Sequence, residues 1–197
     1  GVEVTQYAWL DNGNILGLPQ SGTGNIASQV FNVSSTPYTS TITVTPRYIN
    51  NITCPGDPKN FTITVNPTPG LDPVPDQRLC LGQITADINF SSDVSGATFD
   101  WTNSVPAIGL PANGSGNIPS FTTSGSGNSN VSVRTSANGC LGGIRNFSII
   151  VDPIPSIDPV ENITVCSNQG GAPIIFSPGN GNYTWTNSNP AIGLAAS

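Results

Sequence analysis

The chain has 197 residues, only 8 % of them charged, with five Lys and Arg against eleven Asp and Glu and a net charge of −6. Nucleic acids and anionic membranes are bound through clustered Lys and Arg, so this composition argues against both as partners. No apolar run reaches the roughly 18 residues of a membrane helix, which argues against direct membrane insertion. The chain has no histidine, which removes Ser-His-Asp and Cys-His catalysis, and its acidic residues are too scattered to indicate a paired-carboxylate glycosidase. We therefore predict that it is not an enzyme and has no catalytic residues and no cofactor-binding residues.

Apolar and polar residues alternate with a period of two in several segments, which is the pattern of half-buried β-strands. These segments are residues 39–44, 61–65, 84–90, 131–134 and 147–151. In the third of them, one face is predicted to carry Ile84, Ala86, Ile88 and Phe90. Asn-Gly pairs between segments tolerate the positive φ of hairpin turns, as at 113–114, 138–139 and 180–181. No helical period appears, so the predicted class is all-β.

The chain repeats itself about every 86 residues. Cys54 and Cys80 return 86 residues later as Cys140 and Cys166. An aromatic-x-Trp motif occurs three times, with its Trp residues 92 and then 84 residues apart, at Tyr7–Trp9, Phe99–Trp101 and Tyr183–Trp185. This period is too long for a solenoid repeat and fits one small β-sandwich per copy. Tandem copies suggest reach or a repeated surface rather than a single active site.

Two proline-rich segments, 67–75 and 153–159, mark the predicted domain boundaries, because proline removes a ladder donor and stiffens an extended chain. They divide the chain into the C-terminal part of a first repeat (1–67), a complete repeat (68–153) and the N-terminal part of a third (154–197). Aligned on the middle copy, residue 1 corresponds to about residue 93 and residue 197 to about residue 113. We therefore expect the two outer pieces to need flanking chain, or strands from another molecule, to close their cores.

Several stretches of the middle copy resemble PKD domains, which are immunoglobulin-like sandwiches. Residues 72–77 followed by 79–82 resemble the opening of such a domain. A more specific resemblance lies in residues 99–110, 116–121 and 137–140. These look like the PKD-like repeats of very large secreted Bacteroidetes surface proteins, gliding adhesins included. The resemblance covers essentially the whole chain, although the first copy has Ala-Ser-Gln at 27–29 where the second has Pro-Ser-Phe. It implies tandem immunoglobulin/PKD-like β-sandwich domains, type IX secretion, and an extracellular place at the cell surface, attached to the outer membrane of a Gram-negative bacterium.

In an immunoglobulin-like sandwich the Trp of the third strand fills the core, and the aromatic residue two positions earlier lies on the same strand face. We therefore predict six structural core side chains: Tyr7, Trp9, Phe99, Trp101, Tyr183 and Trp185. The competing interpretation is a sugar-stacking platform. It is weaker, because removing these six leaves only Tyr38 and Tyr48 as exposed aromatic candidates.

Five carboxylates surround the predicted domain boundaries: Asp72, Asp76, Asp152, Asp158 and Glu161. Calcium favours carboxylate ligands and would stiffen a junction, so calcium is the one candidate metal. Their spacing resembles no known calcium loop, and solvated turn carboxylates are the commoner interpretation.

Periodic cysteine pairs in a Ser/Thr-rich β chain favour disulfides and an oxidising, extracellular compartment. The family resemblance implies a Cys80–Cys140 bond within one repeat, which leaves Cys54 and Cys166 to other partners. The alternative, Cys54–Cys80 with Cys140–Cys166, uses all four cysteines at equal spacings and would span the linkers. A cysteine before the second strand and one after the sixth could lie at opposite ends of a sandwich, so both pairings stay open.

These observations predict a non-enzymatic segment of a secreted cell-surface adhesin or stalk that gives mechanical reach and adhesive surface. Its expected partners are flanking repeats of the same chain and surface glycans or other cells. Two alternatives stay open. One is a carbohydrate- or surface-binding accessory module of a larger secreted protein, and the other is a strand-exchanging subunit of an extracellular filament, since open sheet edges accept strands.

Overall fold

The computed structural model describes residues 4–14, 17–50, 52–177 and 181–194. Its first sheet has five antiparallel strands. Their order is β2-β1-β3-β4, and β5 also pairs with β3. The strands are β1 (Val4–Asp11), β2 (Ser21–Thr23), β3 (Tyr38–Asn50), β4 (Ile52–Pro55) and β5 (Lys59–Val65). Because β4 and β5 pair with successive parts of β3, they form one interrupted returning strand.

The second sheet also has five strands, in the order β6-β10-β9-β7-β8. Its strands are β6 (Gln77–Cys80), β7 (Thr98–Asn103), β8 (Asn113–Ser115), β9 (Gly127–Ala137) and β10 (Cys140–Asp152). All its pairs are antiparallel except β6 with β10, which is parallel. The described residues contain no α-helix, so the chain is all-β as predicted.

Both sheets lie in the first of two compact units, which comprise residues 1–152 and 153–197. The first sheet is built from residues 4–65 and the second from residues 77–152. The finer division into 1–67, 68–153 and 154–197 stays a prediction.

The two sheets repeat the same pairing around their tryptophans. Trp9 pairs with Gly22 on β2, and Trp101 pairs with Gly114 on β8. A Cβ atom added to Gly22 or Gly114 would lie 2.3 or 2.2 Å from Cζ2 of the paired indole. That distance is far below van der Waals contact, so the sequence keeps glycine there to let the indole lie over the neighbouring strand.

A narrow second layer, formed by residues 84–90 and 118–123, covers the inner face of the second sheet. Ile88 and Ile118 exchange backbone hydrogen bonds of 2.9 and 3.0 Å between these two segments. The core between the layers is apolar and comprises Leu71, Ile88, Phe90, Trp101, Ile108, Leu110, Ile118, Val131, Val133, Phe147, Ile149 and Val151. The inward residues of β9 and β10 alternate with exposed ones, as a period of two requires.

Segment 84–90 departs from the predicted alternation. Ile84 is exposed and Thr85 is buried, whereas Ile88 and Phe90 are buried. The reason lies in Thr85, whose N–H donates to the Phe121 carbonyl at 3.0 Å and whose hydroxyl accepts from the Phe121 N–H at 3.0 Å. These bonds turn Thr85 inward and shift the phase of the strand face between residues 85 and 88.

Of the predicted Asn-Gly hairpin turns, the one at 138–139 is confirmed and the one at 113–114 is wrong. Asn138 and Gly139 join β9 to β10 with φ of 51° and 80°, as the prediction of a hairpin turn requires. Residues 113–114 instead lie within β8, where the glycine faces Trp101. The remaining pair, 180–181, begins outside the described residues.

The first sheet has a less complete core than the second. Its buried apolar residues are Trp9, Leu18 and Ile42. Phe61 and Phe147 occupy equivalent positions, 86 residues apart, yet Phe61 is 44 % exposed and Phe147 is 3 % exposed. Phe147 packs against Phe90 of the covering segment, with ring centroids 6.3 Å apart, whereas Phe61 is not among the residues that form the described core of the first sheet.

The second unit keeps local features of the middle repeat. Asp158 N donates to Ser177 O at 2.8 Å, as Asp72 N donates to Ser91 O at 3.0 Å. A 3-10 helix at Pro190–Ile192 matches the one at Pro106–Ile108. Among the described residues this unit has no strand, and no described helix anywhere is long and apolar enough to cross a membrane.

The paired phenylalanines provide a matched test of this fold. We expect Phe147→Ala to lower the free energy of unfolding by about 3–5 kcal/mol, because it opens a cavity in a closed core. Phe61→Ala should cost only about 1 kcal/mol, since much of that ring is already in water. Guanidinium chloride titrations of the full chain measure both, and equal losses would contradict the difference in burial.

Candidate functional site

The predicted aromatic core residues fall into two groups. Trp101 is 7 % exposed and its Nε1 donates to Gly116 O at 3.2 Å. Trp9 is buried as well, although its Nε1 has no hydrogen-bond partner within the described part of the chain. Phe99 is half-buried and packs on Phe90 with ring centroids 5.6 Å apart.

Tyr7 and Trp185 correct the prediction of six core side chains. Tyr7 is 51 % exposed, whereas its counterpart Phe99 is half-buried against Phe90. Trp185 is 38 % exposed, since no strands of its own unit flank it among the described residues. Tyr183 is half-buried, with its ring 5.4 Å from that of Phe176.

A polar residue that was not predicted to be structural lies two positions after each Trp, and it is buried in the first two copies. Asn103 is buried, donates from Nδ2 to Leu110 O at 2.8 Å, and accepts at Oδ1 from Val105 N at 3.2 Å and from the Ser129 hydroxyl. It thereby fastens the loop after β7 to β9. The signal was present as Trp-x-Asp/Asn, because residues two apart on a strand face the same side.

The other two copies keep this network. In the first, buried Asp11 accepts at Oδ1 from Gly13 N at 3.1 Å and from the Ser40 hydroxyl. In the second unit, Asn187 donates to Leu194 O at 2.8 Å and accepts from Asn189 N at 3.0 Å. The network recurs even where the surrounding sheet does not, so it belongs to the loop after the Trp strand.

The junction between the two sheets is packed rather than open. Pro67 and Pro69 are fully buried, and Pro69 O accepts from the buried Thr135 hydroxyl at 2.8 Å. Asn66 Nδ2 donates to Asn138 O, at the tip of the β9–β10 hairpin, at 2.9 Å. The proline segment therefore rests against the hairpin of the repeat that follows it, and this contact limits bending.

The predicted calcium carboxylates have separate partners. Asp72 accepts from the Ser91 hydroxyl at 2.6 Å, and Asp76 accepts from Ser148 N at 2.6 Å. Asp152 forms a bidentate ion pair with Arg78, at 2.7 and 3.1 Å. Asp158 and Glu161 are exposed in the second unit. No group of three or more His, Cys, Asp or Glu that could hold a metal occurs within the described ranges, and calcium binding stays an untested prediction.

All four cysteines are unbridged. The preferred Cys80–Cys140 bond is incompatible with this fold, because Cys80 pairs with Asp152 at the end of β10 while Cys140 begins that strand. Twelve residues of strand separate them by about 40 Å, whereas disulfide Cα atoms lie within about 7 Å. In the alternative pairing, Cys54 lies opposite Tyr48 on β3. Tyr48 is about 33 Å along β3 from Tyr38, which pairs with Val65 next to the junction.

Each sheet also carries a shallow outer cleft at an equivalent place. One has a volume of about 390 Å³ and runs over β7, β8 and β9, with Arg134 and Ile144 at its edge. The other, of about 460 Å³, runs over β1, β2 and β3 beside Arg47. The Trp indoles beneath them are buried, and the two exposed aromatic candidates, Tyr38 and Tyr48, lie about 33 Å apart on β3.

The comparisons agree with this architecture. Residues 2–69 match the family model of the PKD-like domain. The match covers the whole first sheet, and together with the two all-β sheets it fits an immunoglobulin-like β-sandwich. A search of curated proteins finds no match. PKD-like domains are typically extracellular, generally non-catalytic repeat modules, and the first repeat is similar to them.

The surface pair Arg78–Asp152 predicts a measurable shift. The hydrogen bond from Arg78 is the main cause that holds the pKa of the Asp152 carboxyl below its usual value; desolvation opposes it, and the Arg78 charge adds to the lowering. Because the folded pKa is the lower one, any stabilisation is present above the unfolded pKa, near pH 4, and is lost as pH falls through the folded value. NMR titration should show the Asp152 pKa rising towards its ordinary value in Arg78→Gln. An unchanged pKa would contradict the ion pair in solution.

The Asn103 network predicts a second effect. Asn103→Ala should lower the free energy of unfolding by about 2–3 kcal/mol, because the Ser129 hydroxyl, Val105 N and Leu110 O lose their partner inside the protein. Asn128→Ala, at an exposed position on β9, is the matched control and should change little. Denaturant titration of both variants measures the difference, and an equal, small effect of the two would count against a structural role for the network.

Proposed function

We propose that this chain is a non-enzymatic segment of a secreted cell-surface stalk or adhesin, in which tandem PKD-like sandwiches provide mechanical reach and a repeated neutral surface. The resemblance to Bacteroidetes surface proteins supports a place on the outer membrane, with type IX export and a part in gliding. Flanking repeats of the same chain, and surface glycans or other cells, are its partners. Calcium at the junction carboxylates is not needed for this role.

The observation that carries the proposal is the parallel pairing of β6 with β10. The strand β6 follows the entry into the repeat, and β10 ends at its exit. Tension applied at residues 67 and 153 therefore pulls two parallel strands in opposite directions and loads their hydrogen bonds together, in shear. The Arg78–Asp152 ion pair and the 2.9 Å bond from Leu81 N to Asp152 O join the same two strands.

The packed junction supports the same proposal. Since Thr135, Asn138 and the buried prolines fix the linker against the next hairpin, tension passes between repeats without a free hinge. The low charge of the outer faces adds little self-repulsion between neighbouring repeats.

A carbohydrate- or surface-binding accessory module is the second candidate, and the equivalent outer clefts of the two sheets favour it. They are shallow and lack exposed Trp, which makes them weaker than the mechanical argument. Retention of the full chain on a polysaccharide matrix would raise this candidate above the first.

Single-molecule stretching of the full chain tests the stalk. We expect one dominant unfolding event from the middle repeat, whose 86 residues release about 260 Å after its folded length of about 40 Å is subtracted. Leu79→Pro should lower the unfolding force, because Leu81 N donates to β10 and the period of two gives Leu79 N the same role.

Arg78→Pro is the matched control for that variant. Cys80 N donates to the Gln83 side chain and so points away from β10. Arg78 lies two residues earlier in the same strand, so its N–H points away from β10 as well. Its unfolding force should therefore stay nearer to that of the unaltered chain, even though the ion pair is lost. Equal forces for the two variants, or no unfolding event in the unaltered chain, would refute the mechanical proposal.

A further inference from the structure

The two cysteines of the middle repeat lie at its opposite poles. Cys140 opens β10 at the end that meets the preceding repeat, and its Sγ lies 3.8 Å from Asn66 O in the junction. Cys80 pairs with Asp152, the last residue of β10, at the end from which the chain leaves. Neither thiol can reach the other, yet each lies at a boundary between repeats.

The sequence repeat indicates that both thiols lie beside equivalent peptide groups, those of residues 66 and 152. Asn66 and Asp152 are equivalent, 86 residues apart, and each follows the last core valine of its returning strand. In the junction that the structure shows, the Cys140 sulfur touches the backbone carbonyl of residue 66. In any junction built in this way, the Cys140-type sulfur of one repeat would lie beside the carbonyl that corresponds to Asn66, and so to Asp152, in the repeat before it.

Cys80 is already beside that carbonyl. Leu81 N, the atom that follows Cys80 in the chain, donates to Asp152 O at 2.9 Å. A sulfur 3.8 Å from the same oxygen, as at residue 66, would therefore be at most about 7 Å from Leu81 N. The sulfur would thus lie close to the peptide group that follows Cys80, and the two residues would be near neighbours, as a disulfide requires. Cys80 is exposed, so its thiol is open to a partner from outside the repeat.

We propose that adjacent repeats are joined by disulfides, each linking the Cys80-type thiol of one repeat to the Cys140-type thiol of the repeat that follows. Cys54 and Cys140 then bond to the preceding repeat, and Cys80 and Cys166 to the following one. A disulfide oxidant is the co-reactant: two protein thiols form one S–S bond, and the oxidant takes up the two electrons and two protons as two thiols. The inference rests on the tandem arrangement of the proposed function.

The full chain with a second copy of residues 68–153 inserted after Pro153 provides the test, because the new Pro-Thr junction repeats that of Pro67 and Thr68. In an adjacent-repeat variant, the only cysteines are Cys80 of the first copy and Cys140 of the inserted copy. In a same-repeat variant, they are Cys80 and Cys140 of the first copy. All other cysteines are replaced by Ser. Both chains are oxidised with glutathione disulfide as monomers, in buffer and in denaturant, and mapped by non-reducing peptide mass spectrometry.

In buffer, we expect most chains of the adjacent-repeat variant to carry the crosslinked peptide, with a mass loss of two hydrogens, and the same-repeat variant to stay reduced. Both should crosslink in denaturant, which shows that the thiols of each are competent. A folded adjacent-repeat variant that stays reduced, or a folded same-repeat variant that crosslinks, would overturn the proposal.

Stretching separates this inference from the proposed function. The oxidised adjacent-repeat variant should lose about 500 Å of extension, because its two cysteines are 146 positions apart, and a reductant should restore it. A fully Cys→Ser array that still unfolds in regular steps would leave the stalk intact whatever the crosslinking result, whereas an array without such steps would refute the stalk itself.

Discussion

The hydrogen bonding of β10 is the constraint on which the middle repeat depends. This strand runs from Cys140 to Asp152, pairs with β9 along most of its length and with β6 at its end, and carries three inward core side chains. The hairpin turn before this strand and its first residue, Cys140, contact the linker from the preceding repeat. The next linker follows its last residue. One strand thus carries much of the core, pairs with a strand on either side and contacts the linker from the preceding repeat.

Burial in this chain follows from the completeness of the layers and not from the motif. Phe61 and Phe147 occupy equivalent positions, as do Trp185 and Trp101, but only the members in the middle repeat are buried. There, the ribbon formed by residues 84–90 and 118–123 closes the inner face of the sheet. The hydrophobic contribution of an equivalent side chain therefore differs between copies by the apolar area that this ribbon removes from water.

The sequence was sufficient for features that depend on local geometry. Alternation located the long strands, and Asn138-Gly139 located a hairpin, because both reflect the backbone conformation of a few neighbouring residues. It was insufficient where a distant partner decides the conformation. Phe121 turns Thr85 inward, and the pairing of Trp101 makes Gly114 a strand residue.

The candidate site shows the same division. The predicted burial of Trp101 depends on strand phase, but that of Tyr7 depends on a covering layer that the motif does not encode. The Trp-x-Asp/Asn pattern marked the face of Asn103, but its hydrogen bonds to the loop depend on how that loop closes. Cysteine pairing was the least accessible, since sequence spacing carries no information about which pole of a sandwich a residue occupies.

Strand topology makes the cysteine period mechanically meaningful. A bond within one repeat would join Cys140, at the start of β10, to Cys80 on β6, which lies beside the other end of β10 about 40 Å away, and this fold forbids it. The proposed bonds between repeats would cross a junction like the one in which Thr135 and the buried prolines hold the linker, and under the proposed stalk function they would reinforce the β6–β10 pair. If one sandwich unfolded, its chain could not extend past the crosslink, so the array would keep most of its length. A long neutral stalk with few ionic contacts between its repeats would then owe its resistance to tension to covalent bonds at the junctions as much as to the hydrogen bonds within each sandwich.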